Sequence, residues 1–357
     1  MLGQPLRLST PLRTHVFGGH EIAERLGKRG LPPGRIAETW EISDVPGSSA
    51  TVLDGPLAGQ SLHDVVQAYP EQLVAPGWQG PWFPLLTKFI DGSGRLPVHL
   101  HADDATARRL ECQPNGKTEA WHILWAEPGA TALVGLKPGQ SRERVRDALL
   151  RQDYDAVMRR LPVRAGETFF IPGGTLHSFG PGTLIYEIEQ TSDIQQQAMP
   201  WRMTDGEPLP HADWRAGIEA LLDELDLNAD PRVTPGLRLP LGDGHDRLLC
   251  TACRHFALER WRLAGAGAPP LDYGFTSARL LSNVGRPVRL EAAGWSGMLG
   301  AAESLLLPAA LGEVRLSGPA DLLIGYVPDL HQDIQAPLAA AGYGPAVMAD
   351  LGIECSS

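Results

Sequence analysis

Cysteine is scarce in this 357-residue sequence, which contains only four. Cys112, Cys250, Cys253 and Cys355 are scattered in a way that does not resemble a disulfide framework. Cys250 and Cys253 form a CxxC pair that could be a redox motif or half of a zinc site, but no second pair follows it. We therefore interpret residues 248–261 as a strand carrying small side chains, in a protein of a reducing, cytoplasmic setting.

Long apolar runs and basic clusters are also missing. No stretch approaches the roughly 20 apolar residues of a membrane-spanning helix, and no charged-then-apolar signal segment opens the sequence. The net charge is −11 without any run of lysine or arginine, which makes nucleic acid and membranes unfavourable partners. With 43% hydrophobic and 20% charged residues, the chain is typical of a globular protein of two domains. We expect a monomer or homodimer that acts on a small molecule.

Glycine and proline, by contrast, are abundant, at 40 and 31 residues, and they separate short apolar runs. That pattern is typical of many short strands joined by turns. The predicted strands are residues 37–42, 86–90, 96–101, 119–125, 131–136, 168–171, 183–189, 256–263, 278–282, 288–290, 313–316 and 322–327.

Helical patterns are fewer. They predict helices at residues 61–68, 141–160 and 213–225, the first two beginning at a serine N-cap. A segment rich in proline and leucine, residues 228–240, has the composition of a link between domains. We place the boundary near residue 240, which gives a first domain of residues 1–240 and a second of 241–357.

Four residues of the first domain have the chemistry and spacing of metal ligands. His99 and His101 are two apart in a predicted strand, so both side chains point to one face. Glu119 and His177 lie in other predicted strands, and a small barrel can bring such residues together at its mouth. Three neutral imidazoles and one carboxylate suit Zn²⁺, or a borderline ion such as Fe²⁺, Ni²⁺ or Mn²⁺.

The residues around His177 strengthen this interpretation. Gly166, Pro172, Gly174 and His177 give the pattern G-x5-P-x-G-x2-H, in which the glycines and the proline form turns on either side of a strand. Together with HxH upstream, this spacing resembles the two motifs of cupin barrels. A similar strand–turn–strand–strand pattern, without the metal residues, recurs at residues 304–326. We therefore predict a mainly β fold of two cupin-type (jelly-roll) barrels, with a few helices inserted in or flanking the first.

The other histidines have no such spacing and are interpreted as surface or core residues. His15 is among them, and His122 follows Glu119 by three positions, so in a strand it faces the opposite side. Asp103 and Asp104 follow a strand and are predicted to cap a turn or helix.

Longer motifs resemble a known family. The segments AETWEISDVPGSS, LLTKFIDGSGRLPVHLHADD, NGKTEAWHIL and AGETFFIPGGTLHSFGPGTLIYEIEQTSD are similar, in order and spacing, to type I mannose-6-phosphate isomerases of the short bacterial form. The likeness is close over about residues 35–195 and looser elsewhere. It implies a metal-dependent bicupin that interconverts mannose 6-phosphate and fructose 6-phosphate, with a phosphosugar as its small-molecule partner.

The resemblance also implies roles for the metal residues. His101, Glu119 and His177 match family ligands, and His99 stands where the family usually has a glutamine that binds zinc. The substitution keeps a ligand suited to a transition metal. We expect one divalent metal ion as cofactor, with zinc preferred.

Further positions match residues of the family's substrate pocket. Lys88 and Lys117 match lysines that face the substrate, and Glu187 matches an acidic pocket residue. One departure matters, because Gln197 stands where the family has an arginine implicated in catalysis. Arg202, five residues later, could replace that charge if the loop shifts.

These residues suggest a mechanism in which a proton moves between C1 and C2 of the sugar through an enediol. Glu187 is the first candidate for the general base, with a metal-bound hydroxide as the second, and an orienting role for Glu187 is equally open. Lys88 and Lys117 could each hold the phosphate or steady the enediolate as point charges, with Lys117 also a catalytic candidate; the alternative for both is a solvated lysine at a strand end.

The lost arginine keeps other functions open. The protein could isomerise a different sugar, or it could be a regulatory bicupin that binds metal and sugar without turnover. An iron-dependent cupin oxygenase would use the same ligand types, although the GKTE and TWEISD matches weigh against it.

Overall fold

Short strands joined by turns dominate the protein, as the glycine and proline pattern predicts. The computed structural model describes residues 2–94, 96–265 and 268–353, so Cys355 lies outside the described residues. The strands are β1 (Leu12–Arg13), β2 (Glu38–Ile42), β3 (Leu85–Gly92), β4 (His99–Leu100), β5 (Glu119–Ala126), β6 (Thr131–Leu136), β7 (Met158–Pro162), β8 (Thr168–Ile171), β9 (His177–Ser178), β10 (Thr183–Gln190), β11 (Gln196–Gln197), β12 (Arg232–Thr234), β13 (Leu237–Pro240), β14 (Asp246–Ala252), β15 (Ala257–Leu263), β16 (Leu271–Gly274), β17 (Arg279–Asn283), β18 (Val288–Ala292), β19 (Trp295–Leu299), β20 (Ser304–Leu307), β21 (Glu313–Ser317) and β22 (Ala320–Tyr326).

The helices are short and lie mainly outside the sheets. They are α1 (Glu21–Glu24), α2 (Leu62–Ala68), α3 (Pro70–Leu73), α4 (Asp104–Thr106), α5 (Arg142–Leu150), α6 (His211–Glu224), α7 (Ala336–Ala340) and α8 (Pro345–Ala349), with 3₁₀ turns at Gly55–Leu57, Tyr154–Ala156 and Ala309–Leu311 and π-helical turns at Ala107–Glu111 and Leu330–Gln335. Ser61 and Ser141 cap α2 and α5 as predicted. Within the described ranges, no helix has both the length and the apolar character needed to cross a bilayer.

The strands form two pairs of antiparallel sheets. The first pair has the orders β1-β2-β3-β10-β5-β8-β12 and β11-β4-β9-β6-β7, and the second has β13-β14-β15-β22-β17-β20 and β16-β21-β18-β19. Buried side chains from both sheets of each pair fill the space between them, for example Trp121 with Val134 in the first and Leu281 with Val314 in the second. This is the predicted mainly β, two-barrel architecture; the domain boundary near residue 240 stays a prediction.

The two barrels share one apolar core. Ile188 of β10 belongs to the same buried cluster as Leu258 of β15 and Leu323 of β22. Polar contacts cross this interface too, since the Tyr186 hydroxyl lies 3.1 Å from Ser282 Oγ. The apolar face of the first barrel is therefore covered by the second.

Three predicted elements are wrong in extent. The helix predicted at residues 141–160 ends at Leu150, because Gln152 has a φ of 56° and α-helix cannot continue through it. The strand predicted at 96–101 is reduced to β4, since Pro97 has no N–H to give a ladder. Residues 248–261 are two strands with a turn between them, and Cys250 and Cys253 are both buried.

Candidate metal centre and substrate cavity

Sheet geometry brings the four predicted ligands together at one end of the first barrel. His99 on β4 is the direct antiparallel partner of His177 on β9. His101 follows His99 by two residues and Glu119 opens β5 on the facing sheet. All four side chains are buried. The i, i+2 spacing noted in the sequence therefore delivers both histidines to the same face.

The ligand atoms lie close enough to share one ion. The Nε2 atoms of His99 and His177 are 3.1 Å apart. Glu119 bridges the group, with Oε2 3.2 Å from His101 Nε2 and Oε1 3.2 Å from His177 Nε2. The three histidine ligand atoms lie within 4.8 Å of one another, a spacing compatible with a single cation.

Backbone carbonyls orient two of the rings. His101 Nδ1 lies 2.6 Å from the carbonyl oxygen of Ile194, and His177 Nδ1 lies 2.8 Å from that of Thr175. A carbonyl only accepts, so each Nδ1 carries the proton and each Nε2 presents a lone pair to the centre. The buried Nδ1 of His99 has no partner in the described part of the chain. Converging lone pairs on neutral imidazoles, beside a carboxylate, fit a divalent metal.

Burial sets the protonation states that such a centre needs. Desolvation lowers the pKa of His99 and His101 below the usual histidine range and lowers that of His177 to about 4, so all three are neutral at pH 7. Burial opposes ionisation of Glu119, but Lys117 and the histidines outweigh it and hold the pKa of Glu119 well below its usual range.

The turn before His177 requires glycine. Gly174 has a φ of 82°, a conformation that L side chains rarely adopt. A Cβ at this position would also lie 2.9 Å from the Cβ of Asp226. The P-x-G-x2-H motif therefore forms the turn after which β9 pairs with β4 and His177 lies opposite His99.

Behind the ligands lies a buried network of carboxylates and lysines. Lys117 Nζ lies 2.8 Å from both Glu119 Oε2 and Glu189 Oε2. Lys88 Nζ lies 3.0 Å from Glu187 Oε2 and 2.9 Å from Glu189 Oε1. Burial opposes the charge of Lys88, yet these carboxylates raise its pKa well above its usual value. The alternative of a solvated Lys88 is therefore wrong.

A cavity of about 310 Å³ opens beside this network. Its walls include the predicted catalytic residue Glu187 and the predicted substrate-binding residues Lys88, Lys117, Gln197 and Arg202. Arg202 is half exposed and already paired with Asp205, at 2.9 Å. The roles assigned to these residues stay predictions, but the structure gathers all of them around one space.

Sequence reasoning missed several residues of the cavity and its surroundings. Arg13 and His15 line it because β1 pairs with β2 and β2 with β3, a register that no local pattern reveals. Glu189 could have been found, since it follows Glu187 by two residues in a buried strand and so shares its face. Trp40 is both fully buried and part of the cavity wall.

Residues interpreted as structural behave as such. His122 faces away from Glu119, and Arg260 of the second barrel lies 3.1 Å from its Nε2. Asp103 caps α4 by accepting a hydrogen bond from the Thr106 N–H at 2.7 Å. Neither side chain belongs to the cavity.

Comparison with known proteins agrees with this geometry. The chain is 27% identical over 323 residues to the probable mannose-6-phosphate isomerase GmuF of Bacillus subtilis (strain 168), a match that covers 90% of this chain and 99% of the relative. Its curated relatives are mannose-6-phosphate isomerases. No protein-family model matches the chain. The resemblance seen in the sequence is confirmed, and with it the prediction of an isomerase-like enzyme.

Solved mannose-6-phosphate isomerases share the fold. The crystal structure of the enzyme from Bacillus subtilis superimposes with a TM-score of 0.79 at 23% identity, covering 90% of this chain and 99% of that one. A mannose 6-phosphate isomerase bound with zinc and yttrium superimposes with a TM-score of 0.68 at 15% identity, covering 90% and 99%. The predicted two-barrel cupin fold is thereby confirmed.

Proposed function

We propose that the protein is a metal-dependent aldose–ketose isomerase that interconverts mannose 6-phosphate and fructose 6-phosphate through an enediol. The observation that carries the proposal is the convergence of three imidazole Nε2 atoms and the Glu119 carboxylate at the wall of a cavity lined by Lys88, Lys117 and Glu187. We infer the substrate, mannose 6-phosphate, from the names of the relatives. An isomerase of a different sugar is the second candidate, because Gln197 leaves the cavity without the arginine of the resembled family.

We assign the metal to His99, His101, Glu119 and His177, and prefer zinc. All four offer the nitrogen and oxygen donors that zinc favours, and the carbonyls behind His101 and His177 fix the tautomer that a metal needs. A bound divalent ion would act as a Lewis acid that polarises the sugar oxygens and so acidifies the proton to be moved.

Glu187 is the proposed general base. It is buried at the cavity wall, and the Trp121 indole N–H donates to its Oε1 at 3.0 Å. Although burial opposes its ionisation, Lys88 lowers the pKa of Glu187, so that a carboxylate able to accept a proton is present at neutral pH. A base held in place between a lysine and an indole is suited to carry a proton between adjacent carbons.

Lys117 is proposed to stabilise negative charge that develops on the substrate oxygens. Its ammonium group lies 2.8 Å from Glu119 and 2.9 Å from His101 Nε2, at the boundary between the metal ligands and the cavity. A fixed cation in a site shielded from water stabilises an enediolate more strongly than the same charge in solvent.

The decisive experiment measures turnover. Metal-loaded protein is incubated with mannose 6-phosphate, and formation of fructose 6-phosphate is followed before and after treatment with a chelator and after readdition of zinc. We expect turnover that the chelator abolishes and zinc restores. Tight sugar binding without turnover would instead identify a regulatory bicupin, and substrate-dependent oxygen consumption would identify an oxygenase.

A further inference from the structure

Arg13, a residue of β1, contributes a guanidinium group to the cavity of the candidate metal centre. Its Cζ lies 3.8 Å from the centroid of the Trp40 ring, so the indole supports the flat guanidinium group. Arg13 Nη2 donates to Ser48 Oγ at 2.8 Å, and Nη1 donates to the carbonyl of Leu12 at 3.2 Å. Arg13 is therefore held in a defined position by neutral groups.

The other cations of the cavity are already paired with carboxylates. Lys88 contacts Glu187 and Glu189, Lys117 contacts Glu119 and Glu189, and Arg202 contacts Asp205. In the described portion of the chain, Arg13 has no carboxylate ion partner, although Glu38 also lies in the cavity wall. Among the described residues of the cavity wall, Arg13 is thus the arginine or lysine without an ion pair to an acidic side chain.

We propose that Arg13 holds the phosphate group of the sugar-phosphate substrate and so sets the preference for phosphorylated sugars. A guanidinium group binds phosphate oxygens through two parallel N–H donors, and stacking on Trp40 fixes the plane of those donors in advance. The position matters here because Gln197 supplies no charge to the same cavity. This inference rests on the proposed function, since it assigns one subsite of the proposed substrate.

Three variants test the assignment in the full-length, metal-loaded protein. Arg13→Gln removes the charge, Arg13→Lys keeps it without the planar fork, and Arg289→Gln removes an arginine that is paired with Glu291 in the second barrel. Metal content and thermal unfolding are measured for each variant to confirm that it is folded. Kinetics are then compared with mannose 6-phosphate and with mannose.

We expect Arg13→Gln to raise KM for mannose 6-phosphate by about ten- to a hundredfold, with a much smaller fall in kcat, because a charge-assisted contact is lost in substrate and transition state alike. The ratio of kcat/KM for mannose 6-phosphate to that for mannose should fall by a similar factor. Arg13→Lys should recover part of the loss, and Arg289→Gln should match the wild type.

Titration calorimetry with inorganic phosphate separates this inference from the proposed function. Weaker phosphate binding by Arg13→Gln than by wild type supports the subsite even if mannose 6-phosphate is not turned over, an outcome that would overturn the proposed reaction alone. Wild-type turnover of mannose 6-phosphate, with KM and phosphate affinity unchanged within twofold in Arg13→Gln, would overturn the subsite and leave the reaction standing.

Discussion

Trp121 links the candidate metal centre to the proposed base. Its indole N–H lies 3.0 Å from Glu119 Oε1 and 3.0 Å from Glu187 Oε1, so one donor is shared by the proposed metal ligand and the proposed general base. The two carboxylates are thus assigned different tasks in the proposed function although they share this donor. Mutation can separate these tasks, because Glu187 can be neutralised without removal of a ligand.

Neutralising Glu187 should remove catalysis and spare the metal. We expect Glu187→Gln to lower kcat by roughly 10²–10⁴-fold, the usual contribution of a general base, with zinc content unchanged by elemental analysis. Glu119→Gln should lower both. Glu167→Gln, at an exposed pair with Arg164, is the matched control and should lower neither. Full activity in Glu187→Gln would show that another group moves the proton.

Restoring the arginine of the resembled family tests the departure at position 197. Gln197 already lines the cavity, so an arginine placed there would add a fixed positive charge near the reacting atoms. We expect Gln197→Arg to raise kcat for mannose 6-phosphate in steady-state assays. An unchanged or lower rate would mean that the loop has been rebuilt around other cations.

The cluster of candidate metal ligands could be predicted from sequence because the patterns that indicate it are local. His99 and His101 share a face by the period of a strand, and the turn at Gly174 announces His177. Arg13 and His15 could not be found in this way. Their place in the cavity depends on the pairing of three strands that are far apart in sequence.

At the scale of elements, the C-terminal end of α6 forms a hydrogen bond with β11, which lies beside the cavity. Gln196 of β11 donates its side-chain amide to Glu224 Oε1 and to Glu111 Oε1, both at 2.9 Å. Burial and the neighbouring Glu111 raise the pKa of Glu224 to about 8. Since β11 pairs with β4, this contact supports the strand that carries His99.

The raised pKa of Glu224 predicts a pH dependence of stability. Between the ordinary carboxyl pKa of 4.5 and the raised pKa of about 8, the folded state binds more protons at Glu224 than the unfolded state. The free energy of unfolding should therefore fall as pH rises through this window, with Glu111 and Asp223 as the facing charges. Urea unfolding at pH 5.5 and pH 8 should give a smaller difference for Glu224→Gln than for wild type. Equal differences would contradict the assignment.

The sequence predicts a helix boundary correctly where a residue with a capping side chain marks it. Ser61 and Ser141 mark helix starts correctly because their side chains accept the orphan N–H groups of the first turn. The end of α5 was missed because Gln152 has no sequence signature for the left-handed conformation that it adopts. There the tertiary structure overrides a helical pattern that continues for several residues.

At the scale of the whole molecule, a polar bridge joins the two barrels across their apolar interface. Arg260 donates to His122 Nε2 at 3.1 Å and pairs with Asp321 through two nitrogens, at 2.7 and 2.8 Å. Burial and the guanidinium group lower the pKa of His122 to about 3, so the ring stays neutral and accepts. This contact between the barrels requires a neutral His122, because a protonated ring has no lone pair to accept from Arg260.

Removing this bridge should destabilise the protein as one unit. We expect Arg260→Met to lower the free energy of unfolding by about 1–3 kcal/mol, because a buried acceptor loses its donor. Arg262→Met is the control, since Arg262 is half exposed and reaches Asp321 without contacting His122. Calorimetry should show one transition in each case, and two separated transitions in the wild type would contradict a shared core.

The second barrel repeats a strand pairing of the first, but with a basic residue where the first has an acidic one. Glu119 pairs with Ile171, which precedes Pro172, and Arg279 pairs with Leu307, which precedes a proline in the same way. Arg279 is buried, with its guanidinium group 4.1 Å from the ring of Tyr326. An arginine cannot ligate a cation, so this position contributes to packing, whereas its counterpart Glu119 is the proposed metal ligand.

Residues near the start of the sequence make hydrogen bonds and an ion pair with the second barrel. Leu6 exchanges backbone hydrogen bonds with Leu306, at 2.8 and 3.0 Å, and Arg7 pairs with Glu303. During translation, Leu6 is synthesised about three hundred residues before its partner Leu306. In a chain shortened before Glu303, we therefore expect Leu6 and Arg7 to lose these contacts, while Arg13 keeps its place in the cavity wall through the pairing of β1 with β2.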